Sequence, residues 1–158
     1  MYSPAEVARR YVETGKSKAA LPVGRMLLLG MLAGAFIALA GGSATFAVSY
    51  GGRLAGAAVF PAGLAMVLLA GSELFTGNCL LVVPLLERQL TWGRMLRSWG
   101  IVYLANVLGA GSVAALTVAA GTFDGVYESV VATAAAKAGL PFLTALLRGV
   151  LCNFLVCI

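Results

Sequence analysis

No histidine occurs among the 158 residues, and only 11% of them are charged. The first absence removes the commonest general base and a leading metal ligand. Cys79, Cys152 and Cys157 sit in apolar runs without a CxxC pair, so metal and redox centres have little to be built from, and the cysteines read as small buried thiols. Paired carboxylates and a nucleophile beside a base are also missing, which makes a membrane-embedded enzyme the poorest reading. No cofactor and no metal are expected. The scarcity of charge excludes an ordinary soluble domain, where about a quarter of residues are charged. What fills the chain instead is 61% hydrophobic sequence with a mean hydropathy of +0.96, the composition of an integral membrane protein. No linker or low-complexity tail interrupts it.

The net charge of +5 is large enough to raise the question of nucleic acid, but its placement follows the membrane instead. Cutting the sequence at its charges leaves uncharged runs at residues 26–52, 54–72, 74–86 and 98–123. The first and last exceed the roughly 20 residues that cross a bilayer as helix. Membrane spans are expected at about 26–49, 54–86, 98–120 and 141–158. The loops then collect Arg9, Arg10, Lys16, Lys18, Arg25, Arg88, Arg94 and Arg97 on one side, against Arg53 and Lys137 beside Asp124 and Glu128 on the other. The positive-inside rule makes the N-terminus cytoplasmic, in a multi-pass protein of the inner (plasma) membrane. Residues 1–22 are polar, which argues against a cleavable signal peptide and for a helix lying on the membrane surface. Ser3, Pro4 and Glu6 spell a capping box, and Gly15 is a plausible stop. Trp92, Trp99 and Tyr103 fit an interfacial belt or simple packing. Gly30 with Gly34, Gly52 with Gly56, and Gly109 with Gly111 are read as sites of close helix approach.

Residues 54–86 do not fit one span. As a single helix they would measure about 50 Å against a hydrocarbon core of roughly 30 Å. Glu73 would also lie near mid-membrane, where an acid is costly, beside the poor helix formers Thr76, Gly77 and Asn78. A break near 71–78 relieves both problems, with one half-helix ending near Ala70 and another starting near Asn78. Freed backbone groups cannot face lipid, so the break must face protein or a water-filled cavity. Glu73 is placed to accept from loose N–H groups and Asn78 to cap the second half-helix. The half-helix ends then point partial charges inward, as in many transporters, although a kink with a packing role alone would look the same.

The segment "ELFTGN", Glu73 to Asn78, resembles the signature of the formate/nitrite transporter family, as do "TWGRMLRSWGIVYLANVLGA" and "LCNFLVC" downstream. The resemblance runs along essentially the whole chain. It implies an all-α, aquaporin-like bundle with an interrupted second transmembrane helix, of which this chain holds the first four of six spans, assembled as a homopentamer in the lipid bilayer. It implies small monovalent weak-acid anions as substrates: formate, nitrite or hydrosulfide. By position, Phe60 and Leu64 match hydrophobic constrictions, and their spacing of four gives them one helix face, though such residues are commonly core or lipid-facing. Leu74 and Phe75 match the residues that narrow the cytoplasmic side, and Thr76 the hydroxyl aimed at the pore centre. Lys137 and Asn153 match the lysine and asparagine near the central chamber; an ordinary solvated lysine is the alternative for Lys137. Arg148 has no counterpart role and is free to snorkel.

The family's proton-sharing histidine has no counterpart in this sequence, which is expected if these residues begin a longer protein. The mechanism implied is attraction of the anion by Lys137 and passage as the neutral acid after protonation between the constrictions. An aquaporin-like facilitator of neutral solutes is the competing reading from another class.

Overall fold

The computed structural model describes residues 2–157, apart from the side chain of Cys157. All of the regular structure among these residues is helical. Helix α1, Pro4–Ala19, starts with the expected capping box: Glu6 N donates to Ser3 Oγ at 3.3 Å, and Ser3 N donates to Glu6 Oε2 at 2.7 Å. The Ser3 backbone and hydroxyl donors favour the charged carboxylate and hold the Glu6 pKa below its ordinary value. Gly15 does not stop the helix. It lies against Pro84, where a Cβ would come within 2.9 Å of the proline ring, so the glycine lets α1 sit close on the chain at 82–86. The reading of Gly15 as a terminator mistook a packing glycine for a cap.

Helix α2, Val23–Val59, is turned inside its length at Gly52, whose φ of 75° and ψ of −177° are open essentially to glycine alone. The second leg runs on through Phe60, itself helical, into α3, Pro61–Leu69. Gly56 faces Ala44 and Val48, and Gly63 faces Ala40, Phe36 and Ile37, so this leg folds back along the first as a hairpin. Residues 70–74 are not helical, with Gly71 at φ 60°. The chain then forms α4, Phe75–Asn78, a 3-10 turn at Cys79–Leu81, and α5, Val82–Leu86.

Helix α6, Trp92–Ala119, starts six residues before the expected 98, because Arg94 and Arg97 are accommodated in its first turns. It packs chiefly on α2. Gly30 and Gly34 of α2 meet Ala105 and Asn106, and Gly109 of α6 meets the Met31 backbone, which fits small residues at a tight crossing. Among the described residues, nothing lies within 4 Å of a Cβ built on Gly111, so the expected close approach is not made there. After a 3-10 turn at Asp124–Val126 come α7, Tyr127–Ala138, and α8, Phe142–Cys157; the chain bends by 103° between them. By length and composition, residues 23–69 and 92–119 are apolar enough to cross a membrane, and the bent α7–α8 pair passes the same test as a unit. Long apolar side chains such as Leu69, Leu104, Leu116 and Leu155 are exposed, which suits a lipid-facing surface. Cys79 is half-buried and Cys152 exposed on α8, so neither is the enclosed thiol expected; the Cys157 side chain and residue 158 lie outside the described residues.

Candidate functional site

The interruption at residues 70–74 exposes backbone groups that a continuous helix would pair. Several of them find partners within the fold. Ser72 N donates to Val67 O at 3.1 Å and Glu73 N to Leu29 O at 3.2 Å. Asn106 of α6 does most of the work: its Nδ2 donates to Gly30 O at 2.8 Å and to Glu73 O at 2.9 Å, and its Oδ1 accepts from Phe75 N at 2.9 Å. The break is therefore closed by one carboxamide inserted from the facing helix.

Two expectations about this segment are corrected. Glu73 was expected to accept loose N–H groups with its carboxylate. Its amide reaches Leu29, only six residues into α2, which puts the break in the α1-side third of that helix, about 9 Å from its start. There α1 reaches it: Lys18 Nζ lies 2.9 and 3.0 Å from the two carboxylate oxygens. A carboxylate with 6% side-chain exposure is thus neutralised by a lysine, not by amides. Asn78 does not cap the second half-helix. With Phe75 N taken by Asn106, the helix can start at Phe75 with Leu74 at the cap position, and Asn78 is left inside, fully buried, its Nδ2 donating to Ser98 Oγ at 3.4 Å.

The short helix after the break is tied from both sides. Tyr11 of α1 donates its hydroxyl to Gly77 O at 3.0 Å, and Trp99 Nε1 donates to Asn78 O at 2.7 Å. The Phe75 ring meets Trp99 and Tyr103 edge-on at 6.1 and 5.4 Å between centroids. Trp99 and Tyr103 therefore pack on the site, as the packing reading of these aromatics has it. The Thr76 hydroxyl oxygen is buried, and α4 packs on α8. A cavity of about 860 Å³ opens beside it between Cys79, Tyr103 and the α8 residues Phe142, Gly149 and Asn153. Asn153 Oδ1 is buried there without a hydrogen-bond partner among the described residues.

The remaining candidates gather at the other end of the bundle. Phe60 and Lys137 line one cavity of about 210 Å³ with Thr45, Ser49, Ser129 and Thr133. Phe60 is 47% and Leu64 37% exposed, so the described residues wall these two on one side only. The structure thus brings the candidates into two groups, at opposite ends of α3. Residues 73–78 lie with Asn153 nearby at one end; Phe60 lies with Lys137 at the other, and Leu64 stands one turn along from Phe60. Sequence reasoning missed Lys18, Tyr11, Ser98 and Asn106. Of these only Asn106 leaves a signal, as the one carboxamide within residues 98–123.

Residues 5–158 match the family described as Formate/nitrite transporter. The chain is similar to the Uncharacterized transporter YrhG of Bacillus subtilis (strain 168), at 38% identity over 98% of the chain and 62% of that protein. It is 34% identical to the Probable formate transporter of Methanothermobacter thermautotrophicus, over 99% of the chain and 67% of the relative. With the Formate channel FocA of Escherichia coli (strain K12) the identity is 31%, over 98% of the chain and 58% of the relative. The chain accordingly spans about three-fifths of the length of the curated relatives it matches.

Proposed function

This chain belongs to the formate/nitrite transporter family, and on that premise we propose that it forms part of a transmembrane channel for small monovalent weak-acid anions, formate or nitrite foremost and hydrosulfide as the family's further substrate. The observation that supports this reading most directly is the broken helix at residues 70–74. Its backbone at Glu73 and Phe75 is bonded by Leu29 of α2 and Asn106 of α6, and Lys18 of α1 pairs with the Glu73 side chain, which ties an irregular segment into an apolar bundle. Such segments are tolerated in membranes where they border protein or a solute path.

In this reading Phe60 and Leu64 form one apolar constriction, and Leu74 and Phe75 the other. Thr76 and Asn153 supply polar contacts between them, and Lys137 draws anions toward the Phe60 end. Glu73, Gly77 and Asn78 keep the broken segment in shape through Lys18, Tyr11, Trp99 and Ser98. A bare anion crossing an apolar constriction faces a Born cost on the order of 20 kcal/mol, whereas its conjugate acid faces little of it. The permeating species is therefore the neutral acid, loaded by attraction of the anion and then protonation. The proton-sharing histidine that the family uses is not among these 158 residues. The assembly is a homopentamer in the inner (plasma) membrane with α1 on the cytoplasmic side.

Proteoliposomes containing the full-length protein test this. Formate uptake is expected to rise by about tenfold for each unit by which pH falls, while the neutral acid remains the minor species. Uptake that does not change with pH would rule out passage as the acid, and swelling with water or glycerol in the absence of formate uptake would favour the neutral-solute facilitator.

A further inference from the structure

The cavities at the Phe60 end contain two hydroxyls that the channel reading does not use, in line with the Lys137 that it does. Ser129, Thr133 and Lys137 fall at positions i, i+4 and i+8 of α7, so one face of that helix presents two hydroxyls and an ammonium in a row, a turn apart. Glu128 lies nine residues from Lys137 and so on the opposite face. All three donors line the 210 Å³ cavity with Phe60, and Thr133 and Lys137 also line a neighbouring one of about 360 Å³. Across from them, Thr45 and Ser49 of α2 already donate their hydroxyl protons to Gly41 O at 3.0 Å and Thr45 O at 3.1 Å. The α7 row is different: Ser129, Thr133 and Lys137 make no side-chain hydrogen bond or ion pair among the described residues. Helix α7 begins beside Tyr50, where a Cβ at Gly125 would lie 3.6 Å from the tyrosine hydroxyl, and Lys137 follows at its far end, sharing a cavity wall with Gly41 and Phe60.

We propose that Ser129, Thr133 and Lys137 form an oxyanion-selecting subsite at the mouth of the pathway, in which the two hydroxyls donate to the oxygens of a small two-oxygen anion while Lys137 balances its charge. This rests on the channel reading and sharpens its substrate class. A carboxylate or nitrite offers two oxygen acceptors that hydroxyl donors a turn apart can engage in succession. Hydrosulfide offers one sulfur, a weak acceptor, and gains only from the lysine charge. The subsite therefore favours formate and nitrite over hydrosulfide.

Uptake of formate and of hydrosulfide is compared in proteoliposomes for the full-length protein and three variants. The Ser129→Ala/Thr133→Val double variant is expected to take up formate about tenfold more slowly at subsaturating concentration, with saturating formate uptake and hydrosulfide uptake unchanged. Thr133→Ser, which keeps the hydroxyl, should retain formate uptake, and Lys137→Met should slow both anions. Equal loss of formate and hydrosulfide uptake in the double variant, or no loss while Lys137→Met still slows both, would overturn the subsite and leave the channel standing. Absence of uptake of either anion by the unmodified protein would overturn the channel reading itself.

Discussion

Asn106 holds three backbone groups at once, and this makes it the residue on which the broken segment most depends. Asn106→Leu keeps the volume but strands Phe75 N–H and the Glu73 carbonyl in an apolar interior and removes a second bond to Gly30 O. At about 1–3 kcal/mol for each of the two unpaired groups, the expected loss is about 2 kcal/mol or more, read as a lowered thermal midpoint in detergent by tryptophan fluorescence. A midpoint within about a degree of the parent would contradict the role. Lys18→Met leaves the buried Glu73 carboxylate without its counter-charge and is expected to cost about 3–5 kcal/mol. Adding Glu73→Gln should recover most of that, so the double-mutant cycle gives a large coupling term; additive effects would mean the pair is not formed. Glu73 could be read from the sequence as an organiser, because an acid in an apolar run demands a partner. Lys18 could not. It lies 55 residues away, and nothing local distinguishes it from the other lysines and arginines of a basic helix. Asn106 is conspicuous by composition, yet hydropathy averages it away within α6.

At the level of helices, what was legible depended on whether the cause was local. The α1 capping box is a short-range device written in Ser3, Pro4 and Glu6, and it forms as spelled. The restart of the broken helix at Phe75 was not legible, because its cap comes from another helix and overrides Asn78, the local candidate. The hairpin between the legs of α2 turns on one residue. Gly52→Ala forces a side chain into a backbone conformation costing of order 1–3 kcal/mol, while no neighbour lies within 4 Å to obstruct it. The variant is therefore expected to lower the thermal midpoint through strain alone, and an unchanged midpoint would show that the turn relaxes elsewhere.

For the molecule as a whole, composition pointed to a membrane protein, which the apolar helices suit, and the charge asymmetry predicts an orientation that can be checked. In a background with the native cysteines replaced, Tyr127→Cys, at a position 61% exposed near the start of α7, is expected to react with an impermeant maleimide on intact cells. Glu87→Cys, in the exposed turn after α5, should react only after lysis; the reverse pattern would invert the assigned topology. The separation of Phe60 from residues 73–78 was legible from their places along one interrupted helix, but the parting of Asn153 from Lys137 was not, since it follows from how α7 and α8 return to the bundle. One consequence concerns synthesis. Tyr11 and Lys18 are already made when residues 70–78 leave the ribosome, but Asn106 is not, so the interrupted segment remains an incomplete knot until α6 has entered the bilayer and ties it.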